Sequence, residues 1–582
     1  MKSFLKNILT TIIGIISSII VMILLIIGFV AIISSEDEVK VKENSILKID
    51  LANTSVVERS SENPFDGLSL SGDVASTIEL KQVLDNIEKA KLDDNIKVIY
   101  INTSYVSAGI SQIEEIRNKL LEFKQTGKPI IAYSEVYNQA AYYLSSVANK
   151  VYLNPEGVVE LKGLSAGFIF YKGLLEKLDI EVQIIRHGKF KSAVEPFMLD
   201  KMSDANREQM QLLLNSFADN LFDSIASQRG MTLSDIHNHA NNLSLENAKS
   251  CLDLHYVDAL LYQDQVDDSL LVISKSEKLN FISLNKYSNV KVEKKEISRN
   301  KIAIIYATGE INSGEGDEKS IGSETTAKAI KTAREDKNVK AIVLRVNSPG
   351  GSALASDVIW RETVLAKEEK PLIVSMGDYA ASGGYYIACA ADSIVANPTT
   401  LTGSIGVFGM IPNLQKLYKN KLGISIDTVN TNKHADMGMN RALTKFEEDK
   451  IQKSVVDIYT TFITHVGEGR NMSTTAVDEI GQGRVWTGYD AKDIGLIDTY
   501  GGLEKAIEIA VYLAEIEDYR IISLPKKKDP FAELALKFGG ETSISDLVML
   551  KLGLKTELTN PIENLLKRDK IQARIPFIME LK

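Results

Sequence analysis

Glu369-Lys-Pro-Leu-Ile-Val-Ser-Met-Gly-Asp-Tyr-Ala-Ala-Ser-Gly-Gly-Tyr-Tyr386 decides the fold, because a variant of it occurs earlier in the chain. The earlier copy is Gly127-Lys-Pro-Ile-Ile-Ala-Tyr-Ser-Glu-Val-Tyr-Asn-Gln-Ala-Ala-Tyr-Tyr143. In each, a lysine–proline step opens a short apolar run that reads as a buried strand, and a turn leads into an apolar stretch with helical spacing. Other matched segments flank the pair at a nearly constant offset. Lys97-Val-Ile-Tyr-Ile-Asn102 corresponds to Lys340-Ala-Ile-Val-Leu-Arg345, and Ala148-Asn-Lys-Val-Tyr-Leu-Asn-Pro155 to Ala391-Asp-Ser-Ile-Val-Ala-Asn-Pro398. A repeat this long is a duplicated domain, not a solenoid unit of about 20–50 residues.

Each copy alternates apolar strands with amphipathic helices. In the second, Lys301 to Tyr306 and Ala341 to Val346 read as strands, and Thr325 to Asp336 and Ser356 to Lys367 as helices. That alternation predicts an α/β layer fold, made twice in tandem. The polar run 291–300 separates the halves, so the first spans about 45–290 and the second about 300–525. Residues 526–582 have no partner in the duplication. Within them, Lys526 to Pro530 reads as a linker, Pro530 to Lys537 as a helix, and Ala573 to Leu581 as a segment able to pair as a strand.

The chain has 582 residues, too many for one hydrophobic core. Its net charge of −10 argues against nucleic acid as a partner, since phosphate binding needs a basic footprint. No P-loop or zinc-type spacing is present, so neither a cofactor nor a metal is expected. His237-Asn-His239 lacks an accompanying carboxylate cluster and fits a solvated helix start. Cys251 and Cys389 sit in apolar helical contexts and read as buried free thiols. Residues 8–33 carry no charge, and exceed the about 20 needed to cross the hydrocarbon core. Lys2 and Lys6 precede them and Glu36, Asp37 and Glu38 follow. Residues 1–38 therefore read as a cytoplasmic tip and membrane anchor, with everything after Ser34 outside.

The chemistry lies where the copies differ. Ser382 stands where the first copy has Gln139. Lys191, in Lys189-Phe-Lys-Ser-Ala-Val-Glu-Pro-Phe197, has its counterpart near Ala435. One half carries a candidate nucleophile and the other a candidate base, which suggests one composite site. A Ser–Lys pair is an established variant of serine catalysis, provided burial keeps the lysine neutral. Val346-Asn-Ser-Pro-Gly-Gly-Ser352 adds a turn whose glycines let backbone N–H groups approach a ligand closely. The amides of Gly351 and Gly383 are candidates for an oxyanion hole. The first copy has Thr103-Ser-Tyr-Val-Ser-Ala-Gly109 at that point and lacks the turn. Taken singly, Ser382 could be a helix cap and Lys191 a surface lysine. Lys189 is an alternative base, and His187 or His434 would serve a histidine mechanism. An extended substrate could bind by adding a strand beside the active-site turn.

Four segments carry a resemblance: Ala380-Ala-Ser-Gly-Gly-Tyr385, Leu401-Thr-Gly-Ser-Ile-Gly406, Lys191-Ser-Ala-Val-Glu-Pro-Phe197 and Gly483-Arg-Val-Trp-Thr-Gly488. Together they resemble the signal peptide peptidase A family in its long, duplicated protease IV form. The resemblance implies a ClpP/crotonase-like fold in each half and a membrane-anchored serine protease. In it, Ser382 would be the nucleophile and Lys191 the general base. It further implies cleaved signal peptides as substrates, at the bacterial cytoplasmic membrane with the catalytic domains on its extracytoplasmic side. Bowl-shaped homo-oligomers, tetramers in this form, are implied as well. The alternative from another class is a membrane-tethered, non-catalytic scaffold of crotonase-like fold.

Overall fold

The computed structural model describes residues 39–60, 76–290, 298–527 and 571–575, with scattered helical positions between 10 and 21. Most of the apolar stretch 8–33, most of the inter-half run and the expected helix from Pro530 lie outside the described residues. Among the described residues no helix is long and apolar enough to cross a membrane.

Each half is built on a sheet with six parallel strands in the same order; in the second half Leu401–Gly403 also pairs with Leu372–Ala381 and carries Val485–Thr487 antiparallel on its other edge. The first runs Ala259–Leu260, Lys150–Val159, Ile130–Tyr137, Ile96–Ile101, Ser45–Ile49, Phe281–Ser283, every pair parallel. The second runs Thr499–Tyr500, Ser393–Ala396, Leu372–Ala381, Val339–Ser348, Lys301–Thr308, Arg520–Leu524, again all parallel. Parallel sheets covered on both faces need strands that are apolar throughout. Ile302 to Ala307 meets that demand with every residue buried. The helix expected from Ser356 starts earlier, at Ala353, because Ser352 Oγ accepts the Ala355 N–H at 3.3 Å and caps it. His237 and His239 lie inside the helix Leu233–Asn241, which begins after the Thr232 cap, not at its start. Both cysteines are buried and unpaired.

The halves interlock. The strand Glu181–Arg186 leaves the first half and pairs antiparallel with Phe408–Asn413 of the second over six residue pairs. The helix Asp204–Arg229 then bridges the halves: Gln209 Oε1 accepts the Val485 N–H at 2.9 Å, while Leu221, Phe222 and Ile225 pack in the core of the first half. A third contact is ionic. Arg345 is fully buried on the strand Val339–Ser348, and its guanidinium holds Glu58 at 2.8 and 2.9 Å and Glu115 at 2.8 Å, both from the first half. Nearby, the helix Ile110–Lys124 offers the Ser111 N–H to Asp378 Oδ1 at 2.9 Å. Burial pushes the Asp378 carboxyl up to about 6.

Candidate active site

Ser382 joins the strand Leu372–Ala381 to the short helix Gly383–Ala388. It caps nothing: its φ of 56° and ψ of −112° leave the side chain without a cap bond. A non-glycine residue held there stores about 1–3 kcal/mol and persists only where its surroundings enforce it. The Ser382 N–H is fixed by Gly403 C=O at 2.7 Å, and Ser382 C=O accepts the Tyr386 N–H at 2.8 Å. The side chain is thus aimed away from the helix.

Lys191 Nζ stands 2.8 Å from Ser382 Oγ, within one chain. Neither residue has any exposed surface. The crossing strand explains how the lysine arrives. After Arg186 the chain turns at Gly188, and the Phe190 N–H donates to Gln482 C=O at 3.0 Å. Past the lysine, Glu195 anchors the arm to the start of the long helix. Its carboxylate accepts Ser203 Oγ–H at 2.6 Å, Ser203 N–H at 3.2 Å and Asn206 Nδ2–H at 3.0 Å. Burial alone holds the Lys191 amine well below the ordinary lysine range. Its remaining contacts are neutral: Ser404 C=O and Ser404 Oγ, both at 3.1 Å.

Ser404 had no assigned role in the sequence. Its only signal was its place in Leu401-Thr-Gly-Ser-Ile-Gly406. With φ of 50° it turns both its carbonyl and its hydroxyl toward Lys191. Gly483 packs against the lysine backbone: at φ +83°, a Cβ there would sit 2.7 Å from Lys191 Cα. Gly483→Ala is expected to cost about 1–3 kcal/mol in backbone strain alone, and to displace Lys191. Unfolding in denaturant, together with the rate of peptide hydrolysis, checks this.

The remaining candidates divide clearly. The strand Val339–Ser348 delivers the Pro349-Gly350-Gly351 turn, held by Ser348 Oγ, which donates to Gly309 C=O at 2.7 Å and accepts the Gly350 N–H at 3.2 Å. The turn lies against Gly383: a Cβ on Gly383 would stand 3.2 Å from the Gly351 nitrogen. The two expected oxyanion amides therefore converge beside Ser382. Lys189 lies elsewhere, over the Phe190 ring at 5.0 Å. His187 packs on Tyr459 at 4.2 Å, and His434 pairs with Glu447 at 2.7 Å. In the first half, Gln139 folds back onto its own loop, accepting the Lys162 and Gly163 N–H groups at 3.2 and 3.1 Å. Ala435 is exposed.

A duplicated α/β chain with a strained serine at a strand–helix junction, facing a buried amine and a glycine turn, is built as a hydrolase of the serine type. Two regions, 122–275 and 365–517, match the profile of Peptidase family S49, one in each half. The chain belongs to this family and is a serine protease. It is 38% identical over 463 residues to Protease 4 of Salmonella typhi, covering 78% of this chain and 74% of that protein. Protease 4 of Haemophilus influenzae is 37% identical over 464 residues, covering 77% and 75%. The chloroplastic serine protease SPPA of Arabidopsis thaliana is 35% identical over 515 residues, covering 87% and 75%. The long, duplicated type expected from the motifs is the type found, and family membership sets aside the scaffold alternative.

Proposed function

We propose that the chain is a membrane-anchored endopeptidase working through a Ser382–Lys191 dyad on peptides such as cleaved signal peptides. The observation that carries this is the 2.8 Å approach of a buried amine, with no carboxylate among its hydrogen-bond partners, to the Oγ of a strained serine. Neutral Lys191 takes the Ser382 proton as Oγ attacks the peptide carbonyl. The N–H groups of Gly351 and Gly383 receive the oxyanion, and Lys191 returns the proton to the leaving amine. Water then resolves the acyl-enzyme. The uncharged stretch 8–33 with its basic flank supports an anchor that leaves both halves outside the cytoplasm. A site held at the membrane surface suits residual signal peptides. The ClpP/crotonase-like class and assembly into homo-oligomers belong to the same proposal, as does placement in a bacterial cytoplasmic membrane.

The test is covalent labelling by a fluorophosphonate together with cleavage of a signal-peptide-like substrate. Both are expected in the wild type and absent from Ser382→Ala; labelling that survives in Ser382→Ala sinks the assignment. The pH dependence follows from the lowered amine. Below the shifted pKa, Lys191 holds its proton and cannot act as base, so the rate climbs with pH and levels off well short of 10.5, the ordinary lysine value. A pH–rate profile whose midpoint sits at that ordinary value would contradict a buried base.

A further inference from the structure

Between Gly350–Ser352 and Phe408–Asn413 lies a slot one strand wide, and a later segment of this chain fills it. Ile571–Arg574 runs antiparallel to both walls. Gly350 faces Arg574, Gly351 faces Ala573 and Ser352 faces Gln572; across the slot, Phe408 faces Gln572 and Gly409 faces Ile571. The Ile575 N–H donates to Pro349 C=O at 2.9 Å. Hydrogen-bonded pairs alternate along an antiparallel ladder, so the next such pair is Gly351 with Ala573. The Ala573 carbonyl is therefore directed at the Gly351 N–H. Its oxygen also lies 3.2 Å from the position of a Cβ on Gly383, and a Cβ on Gly350 would collide with it. Gly351 and Gly383 are the two oxyanion amides, so Ala573 presents its carbonyl where an attacked carbonyl belongs.

The side chains alternate as a bound peptide's would. Ala573 is fully buried. Ile575 packs in a cluster with Met210, Leu213, Phe217 and Val485, and Ile571 packs against the core of the second half. Arg574 faces the other way, with Nη1 at 3.4 Å from Glu310. The segment has no counterpart in the duplication, and both parallel sheets are complete without it.

We propose that Ile571–Ile575 is a tethered, substrate-like occupant of the peptide groove, competing with peptides for Ser382. This rests on the Ser–Lys reading above and adds to it a substrate description. The favoured peptide is extended, with a small residue at the attacked carbonyl and branched aliphatic residues two positions to either side. A competitor that belongs to the same chain meets the groove in an intramolecular step, at a high effective concentration, so modest intrinsic affinity keeps the groove filled.

Two full-length variants free the groove by different means. Ala573→Trp puts a side chain where none fits, and Ala573→Pro removes the N–H that pairs with Gly351. The probe is a fluorescent, end-capped Ile-Gln-Ala-Arg-Ile peptide, read by anisotropy in the Ser382→Ala background so that nothing is turned over. Each variant is expected to bind it roughly tenfold more tightly than Ser382→Ala alone. With Ser382 present, fluorophosphonate labelling is expected to accelerate by a similar factor. Equal peptide affinity in all three chains overturns the proposal. Tighter binding without labelling in any form would instead overturn the Ser–Lys reading and leave the tail's role standing.

Discussion

Lys191→Met is expected to lower peptide hydrolysis by about 10⁴- to 10⁶-fold, the range over which removing the base or nucleophile of a serine protease acts. The reason is geometric before it is electrostatic. Ser382 Oγ has one amine at hydrogen-bonding distance, Lys191 Nζ at 2.8 Å, and the other candidate bases are held elsewhere. Methionine matches the length of the lysine stem but accepts no proton. Ser382→Ala is expected to fall as far, and the double variant little further, because the two groups act as one unit. Stability supplies a second readout. The folded amine titrates well below 10.5 while the unfolded one does not, so unfolding takes up a proton at any pH between the two values. Wild-type stability should therefore rise relative to Lys191→Met as the pH climbs from the lowered value toward 10.5, and level off above it. Denaturant titrations at several pH values check the sign; a lysine that is charged in the fold would give no such slope.

The second large effect lies away from the chemistry. Arg345→Met is expected to cost about 3–5 kcal/mol, because it leaves Glu58 and Glu115 as buried charges without their partner. Combining Arg345→Met with Glu58→Leu and Glu115→Leu should recover most of that loss, since apolar replacement of a complete buried ionic group is often neutral or better. Activity should fall with the single change and return only in part with the triple. Arg345 lies on the strand that leads into the Pro349-Gly350-Gly351 turn, so a shift of this seam moves the amides proposed to receive the oxyanion. Thermal unfolding and hydrolysis rates on the same preparations separate the two consequences.

Much of this was legible in the chain itself. Strand–helix alternation announced the α/β class, and the difference between Gln139 and Ser382 marked which half holds the proposed nucleophile. Lys191 was legible because the motif around it has no matching lysine near Ala435. What stayed hidden depends on contacts between residues distant along the chain. The Arg345 seam joins a strand of one half to Glu58 and Glu115 of the other, and no local pattern identifies those partners. Ser404 was invisible because a serine in a turn has many ordinary uses; only its backbone conformation brings it to the lysine. The boundary drawn at the polar run was sequential, whereas the strand Glu181–Arg186 belongs to the first half by sequence and to the second by pairing. The last strand could be expected to pair, but its choice of the slot beside the glycine turn is a property of the finished fold.

The crossing strand also sets a clock. Chains fold from the N-terminus as they are synthesised, domain by domain. Lys191 is made long before Ser382, and the strand that carries it has nothing to pair with until Phe408–Asn413 exists. A half-made chain therefore holds a lysine without a serine, and its neighbours meet no working protease. Competence arises only as the second half closes on the first. The segment that fills the groove, Ile571–Ile575, is translated after both of its walls, so the groove is built before its occupant exists.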